Sequence, residues 1–203
     1  MAQNHTRQPS GSSPQPLEVL REVISRLETL SIPYMVSGSL ASSVHGFARS
    51  TQDADIIVKF GPEQVEGFIE QFRQEFYVDR ALIEQALERG TSFNVIHLGS
   101  MFKVDFFILQ NRSFSQKEFS RRVRYQLYSD STVEGYWQTA EDTLLSKLEW
   151  YRAGGEISEY QWRDIMGIVK NRGEQLDLAY LNQWARELRV EDLLEKALKE
   201  ASS

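Results

Sequence analysis

The run YMVSGSLASSVHGFARSTQDADIIVKF, residues 34–60, reads as strand, turn, helix, strand. Tyr34-Met35-Val36 is β-rich, Gly38-Ser39 turns the chain, Ser39 to His45 suits a short helix, and Asp53 to Phe60 alternates acid and apolar residues before Gly61-Pro62 stops it. Strand side chains alternate faces with period two, so Asp53 and Asp55 project from one side while Ala54 and Ile56 point to the other. Carboxylates gathered on one side resist ionising together unless a cation sits between them. Oxygen donors in a chain without cysteine favour Mg²⁺ or Mn²⁺. Gly38 and Ser39 stand where a strand ends and a helix begins, and the free N–H groups and positive end of a helix suit a phosphate there.

A third acid lies further on. Phe93 to Leu98 and Phe102 to Leu109 read as two strands of a hairpin joined at Gly99-Ser100, and the second carries Asp105 between apolar neighbours. A lone buried acid is costly. Either a shared metal removes that cost, or Lys103, two residues earlier on the same side of the strand, pairs with Asp105.

Outside these strands the chain is mainly helical in its spacing. Leu17 to Leu30, Glu63 to Phe76 and Asp79 to Glu88 carry apolar residues at helical intervals. After Leu109 the signal weakens, with Val123 to Leu127 and Thr132 to Trp137 as short strands around Ser129-Asp130-Ser131. Thr139 followed by Asp142 resembles a capping box and predicts a helix from Ala140 to Tyr151. Three more helices are expected over Ile157 to Lys170, Leu178 to Leu188 and Val190 to Ala201. Residues 1–16 are rich in Ser, Pro, Gln and Gly and predict a disordered tail. A core over 17–138 and a helical C-terminal section over 139–203 packed on it follow.

The ordered set of an apolar strand, Gly38-Ser39, Asp53-x-Asp55 and Asp105 resembles the nucleotidyltransferase superfamily of the polymerase-β type. A second match lies downstream: Glu141-Asp142-Thr143-Leu144-Leu145-Ser146-Lys147-Leu148, followed by Arg163-Asp164-Ile165, resembles the minimal nucleotidyltransferases, including the AbiEii-like toxin-antitoxin transferases. The match departs at Gly167, where the toxin arm tends to carry another acid. The resemblance implies an α/β fold, a mixed sheet flanked by helices. It also implies transfer of a nucleoside monophosphate from an NTP to an acceptor hydroxyl on RNA such as a tRNA end, on a protein, or on a small molecule such as an antibiotic. In that reading Asp53, Asp55 and Asp105 hold Mg²⁺ or Mn²⁺, and Asp105 helps to activate the hydroxyl. Gly38 and Ser39 hold the triphosphate, Lys147 contacts phosphates, and Asp164 orients Lys147 or the base-binding wall. Arg49, in the connection into the acid strand, is a candidate phosphate ligand, whereas His45 reads as turn-stabilising. An antitoxin or a second copy of the chain is the implied partner. The competing reading is a catalytically inactive member of the fold that binds a nucleotide or a protein.

Composition bounds these readings. The 203 residues suffice for a sizeable core. A net charge of −6 argues against a surface built throughout for nucleic acid, although Arg112, Lys117, Arg121, Arg122 and Arg124 cluster and could face phosphate or solvent. The absence of cysteine excludes disulfides, thiolate metal sites and cysteine nucleophiles, and fits a cytoplasmic location. No stretch approaches the roughly 18 continuous apolar residues of a membrane span, and no export signal is visible. No G-x-x-x-x-G-K-[ST] loop, no G-x-G-x-x-G after a strand and no G-x-S-x-G elbow is present.

Overall fold

The computed structural model describes residues 16–48, 51, 53–127 and 133–202. Of the expected tail, residues 1–15 lie outside the described residues, and Pro16 opens the first helix, α1 (Pro16–Thr29). There follow β1 (Tyr34–Ser37), α2 (Gly38–His45), β2 (Asp53–Val58), a 3-10 turn at Pro62–Gln64, α3 (Val65–Phe72), β3 (Phe76–Tyr77), α4 (Arg80–Arg89), β4 (Ser92–His97) and β5 (Lys103–Ile108). The chain continues with α5 (Ser113–Ser120), β6 (Val123–Leu127), β7 (Val133–Trp137), α6 (Ala140–Ala153), α7 (Glu159–Arg172), α8 (Leu178–Leu188) and α9 (Glu191–Ala201).

Among the described residues the strands form one mixed seven-stranded sheet in the order β3-β4-β5-β2-β1-β7-β6. β2 runs antiparallel to β1 and parallel to β5. The alternation in β2 and β5 separates two faces, as period two requires. Ala54, Ile56, Val58, Val104 and Phe106 are buried on one face, in a cluster with α1, α3 and α4. Phe68 of α3 meets Phe93 and Phe106 edge-on, with centroids 5.6 and 5.4 Å away, a favourable quadrupole arrangement. Asp53, Asp55 and Ile57, with Lys103, Asp105 and Phe107, take the other face. A second buried cluster is built from α6 to α9, with Leu144, Leu148, Ile165, Ile168, Leu181 and Leu194 at its centre, and it includes Phe114 of α5.

The fold is therefore α/β, as the resemblance implied, with two local corrections. The helix expected over Glu63 to Phe76 ends at Phe72, because Phe76 and Tyr77 pair with His97 and Ile96 as an edge strand. Ser113–Ser120 is a helix that the sequence did not announce. Its buried residues Phe114, Ser115, Glu118 and Phe119 are half polar, which erases the apolar spacing.

Asp142 shows how the helical section is fastened. Thr139 caps α6, accepting from the Asp142 N–H at 3.2 Å and donating its hydroxyl to Asp142 Oδ2 at 2.7 Å. Asp142 is fully buried, and its carboxylate also accepts from the Tyr180 hydroxyl at 2.5 Å and Arg121 Nε at 3.2 Å. Burial, followed by the Asp142 contact, pushes the Tyr180 phenol well above its usual range. Arg121 lies over the Tyr180 ring at 3.9 Å. Asp142→Asn removes the charge and one acceptor while keeping the shape, and is expected to lower stability by about 1–3 kcal/mol. Thermal unfolding checks it; an unchanged midpoint would show that the bracket contributes nothing.

Candidate active site

The site begins at the β1–α2 junction. Gly38 adopts φ +59°, a left-handed conformation that only glycine takes without strain. A Cβ built there would lie 1.8 Å from Asp55 Oδ2, so the backbone approaches the carboxylate as closely as a missing side chain permits. The Ser39 N–H donates to Asp55, and the Ser37 hydroxyl donates to the Asp55 carbonyl at 3.3 Å. Strand pairing sets Ser37 beside Asp55 on one flank and Asp105 beside it on the other. Asp53 sits two residues along on the same face, its Oδ1 accepting from the Thr51 hydroxyl at 2.9 Å.

Burial above all, then the charges of Asp53 and Asp105, pushes the Asp55 carboxyl above the usual carboxylate range. The Ser39 N–H and the Lys147 ammonium oppose that shift without cancelling it. Asp105 is half-buried rather than enclosed, and Lys103 Nζ lies 2.7 Å from its Oδ2. The sequence-level alternative of a lysine partner is thus present. Among the described residues, no group of three His, Cys, Asp or Glu side chains stands in position to hold a metal ion. The donor set nonetheless suits a hard divalent cation: three carboxylates share one sheet face, and the repulsion at Asp55 is what such an ion relieves.

Asp55, Gly38 and Ser39 line a cavity of about 350 Å³. Ile57 and Phe107 continue the sheet wall, and Lys147, Ser146 and Trp150 of α6, Glu118 of α5 and Gln161 of α7 close the other side. Lys147 is aimed from behind: Asp164 Oδ2 lies 2.9 Å from its Nζ, and the Ser42 hydroxyl of α2 donates to the same oxygen at 3.4 Å. One buried contact thereby ties α2, α6 and α7 at the cavity wall.

The expected residues Gly38, Ser39, Asp55 and Lys147 therefore meet at one cavity, with Asp53 and Asp105 on the adjoining sheet face and Asp164 behind Lys147. Arg49 lies outside the described residues. His45 is buried, its Nε2–H donating to the Gln138 carbonyl at 2.8 Å, and burial lowers its pKa, which keeps the ring neutral in a structural role. The basic cluster is largely spent on neighbours. Arg112 grips Glu149 through two bonds of 2.5 and 2.6 Å, Arg121 holds Asp142, and Arg124 pairs with Glu134 at 2.7 Å. Gly167 also receives an explanation: a Cβ there would lie 2.9 Å from the Phe47 backbone nitrogen, so no acid fits.

Glu118 is a cavity residue that the sequence did not reveal, because α5 itself was hidden. Its Oε2 accepts from Gln138 Nε2 at 2.7 Å and from the Ser146 hydroxyl at 3.1 Å. These bonds and Arg112 favour the anion, but burial outweighs them, with Asp142 adding to it, and the carboxyl is pushed up to about 7. The folded chain thus holds a proton that the unfolded chain releases near 4.5. Stability from this group is complete below the unfolded value and falls as pH rises to about 7, by about 3 kcal/mol in all. Glu118→Gln keeps the neutral shape and is expected to flatten that loss in melting curves taken between about pH 5 and about pH 8. Parallel curves for the two chains would refute it.

No protein-family model matches the chain, and no curated protein sequence matches it. Among solved structures, an antigenic nucleotidyltransferase-like protein from Paracoccidioides brasiliensis superposes with a TM-score of 0.53 at 18% identity, over 91% of this chain and 92% of that one. The fold is nucleotidyltransferase-like. The antibiotic-resistance factor ANT(2'')-Ia is more distant, with a TM-score of 0.47 and 10% identity over 91% of this chain and 94% of that one. The likeness to the Paracoccidioides protein, at 18% identity, shows the nucleotidyltransferase-like fold and leaves the chemistry to be argued from the side chains. Among the described residues no helix is long and apolar enough to cross a membrane.

Proposed function

We propose that the protein transfers a nucleoside monophosphate from an NTP to an acceptor hydroxyl. The observation that carries this reading is the pairing of Asp55 with Asp105 across parallel strands, with Asp53 on the same face and the Gly38-Ser39 turn against the carboxylate. Asp53, Asp55 and Asp105 would hold Mg²⁺ or Mn²⁺, which when bound would neutralise charge on the leaving pyrophosphate and lower the acceptor's pKa. The Ser39 hydroxyl and the first N–H groups of α2 would bind the triphosphate, helped by the positive end of that helix. Lys147, held by Asp164, would lie along the phosphates as a fixed positive charge. Asp105 would take the proton of the attacking hydroxyl as its oxygen bonds the α-phosphorus and the bond to pyrophosphate breaks. Such chemistry is chiefly positioning and electrostatics, which suits a site assembled from rigid strands and a helix start.

The purified protein, incubated with α-labelled NTPs, Mg²⁺ and a cell extract, should place label on one size class and release pyrophosphate. A labelled RNA band would favour a tRNA-directed, toxin-like role with an antitoxin partner; a labelled protein or small molecule would favour the other acceptors. Absence of transfer to any class sinks the reading. The 2.7 Å contact of Lys103 with Asp105 favours a second reading, in which the fold binds a nucleotide or a protein partner and catalyses nothing. Titration calorimetry that finds NTP binding without pyrophosphate release would select it.

A further inference from the structure

Two residues of the cavity lining are unused by the chemistry above. Trp150 lines the cavity and is 61% exposed, so its indole face is open to a ligand lying there. It follows Lys147 by three residues on α6, which places both on one helix face roughly 4.5 Å apart along the axis. Gln161 lines the same cavity, and its Oε1, shielded from solvent, accepts no hydrogen bond among the described residues. Buried acceptors are nearly always satisfied, so an orphan in a cavity wall points to a donor that arrives with a ligand. Glu149, between Lys147 and Trp150 in sequence, is engaged by both nitrogens of Arg112 and does not compete.

We propose that Trp150 and Gln161 form a nucleobase subsite that takes an amino-bearing purine, adenine before hypoxanthine. The inference rests on the nucleotide reading of the acid end. With phosphates at Gly38, Ser39 and Lys147, the base lies one helical turn along α6, stacked on the indole, and its exocyclic amine donates to Gln161 Oε1. Stacking tolerates any base, whereas the amide oxygen rewards one that donates.

Calorimetry with Mg-ATP, Mg-ITP and Mg-tripolyphosphate tests it on the parent chain and on Trp150→Ala, Trp150→Phe and Gln161→Ala. Trp150→Ala should weaken ATP about tenfold or more, leave tripolyphosphate unchanged, and be largely rescued by Trp150→Phe. Gln161→Ala should bring ATP down to the affinity of ITP. Unchanged ATP affinity in Trp150→Ala, an equal loss for tripolyphosphate, or equal binding of ATP and ITP by the parent would each overturn the subsite while leaving the acid end intact. If the parent binds neither ATP nor tripolyphosphate, the nucleotide reading falls and takes the subsite with it.

Discussion

A chain carrying Asp53→Asn together with Asp55→Asn is expected to release pyrophosphate from Mg-NTP at least about 10²–10³-fold more slowly than the parent. Its melting temperature should be unchanged or higher. The two halves of that result come from the same residues. On the sheet face the carboxylates repel one another, and Asp55 is further disfavoured by burial, so in the absence of a cation they cost stability. The amide keeps the volume and can still accept from the Ser39 N–H, so packing survives. What is lost is the negative charge that would hold a divalent ion against the triphosphate. Turnover equal to the parent's would end the proposed reaction, and a large fall in melting temperature would show that the acids are structural.

Gly38→Ala is expected to abolish turnover to a similar degree through a different cause. The new methyl group would sit 1.8 Å from Asp55 Oδ2, so the carboxylate must swing away or the turn must open. The left-handed φ adds a backbone strain of about 1–2 kcal/mol. Gly155 provides the control, since it too has a positive φ, +77°, but nothing lies within 4 Å of a Cβ built there. Gly155→Ala should therefore show the strain alone, as a modest loss of stability with full turnover. If Gly38→Ala behaves like Gly155→Ala, the close approach of the turn to Asp55 plays no part in the chemistry.

The acid end was legible in the sequence because its determinants are local. Alternation in Asp53-Ala54-Asp55-Ile56 assigns faces without knowledge of the partner strand, and Gly38-Ser39 marks a turn by residue type alone. Lys147 and Asp164 were reachable only through the resemblance, since a mid-helix lysine carries no signal of its own. The rest depended on contacts between distant segments. Phe72 and Phe76 have helical spacing, and only the pairing of Phe76 with His97 makes the latter a strand. Glu118 and Ser115 interrupt the apolar face of α5, and they are buried because Gln138 and Ser146 for the first, and Arg112 for the second, supply polar partners. Such polar burial is invisible until the partners are known. Trp150 reads as an ordinary apolar position of α6, and its exposure appears only once α6 lies along the cavity.

The parallel pairing of β2 with β5 brings together Asp55 and Asp105, 50 positions apart in the chain. Pairing over such a separation requires loop-closure entropy to be overcome first, so it belongs to the slow, late part of assembly. Lys147 arrives later still in synthesis. Under the proposed chemistry a nascent chain carries the acids before the lysine that would face the phosphates, and competence waits on the synthesis and packing of α6.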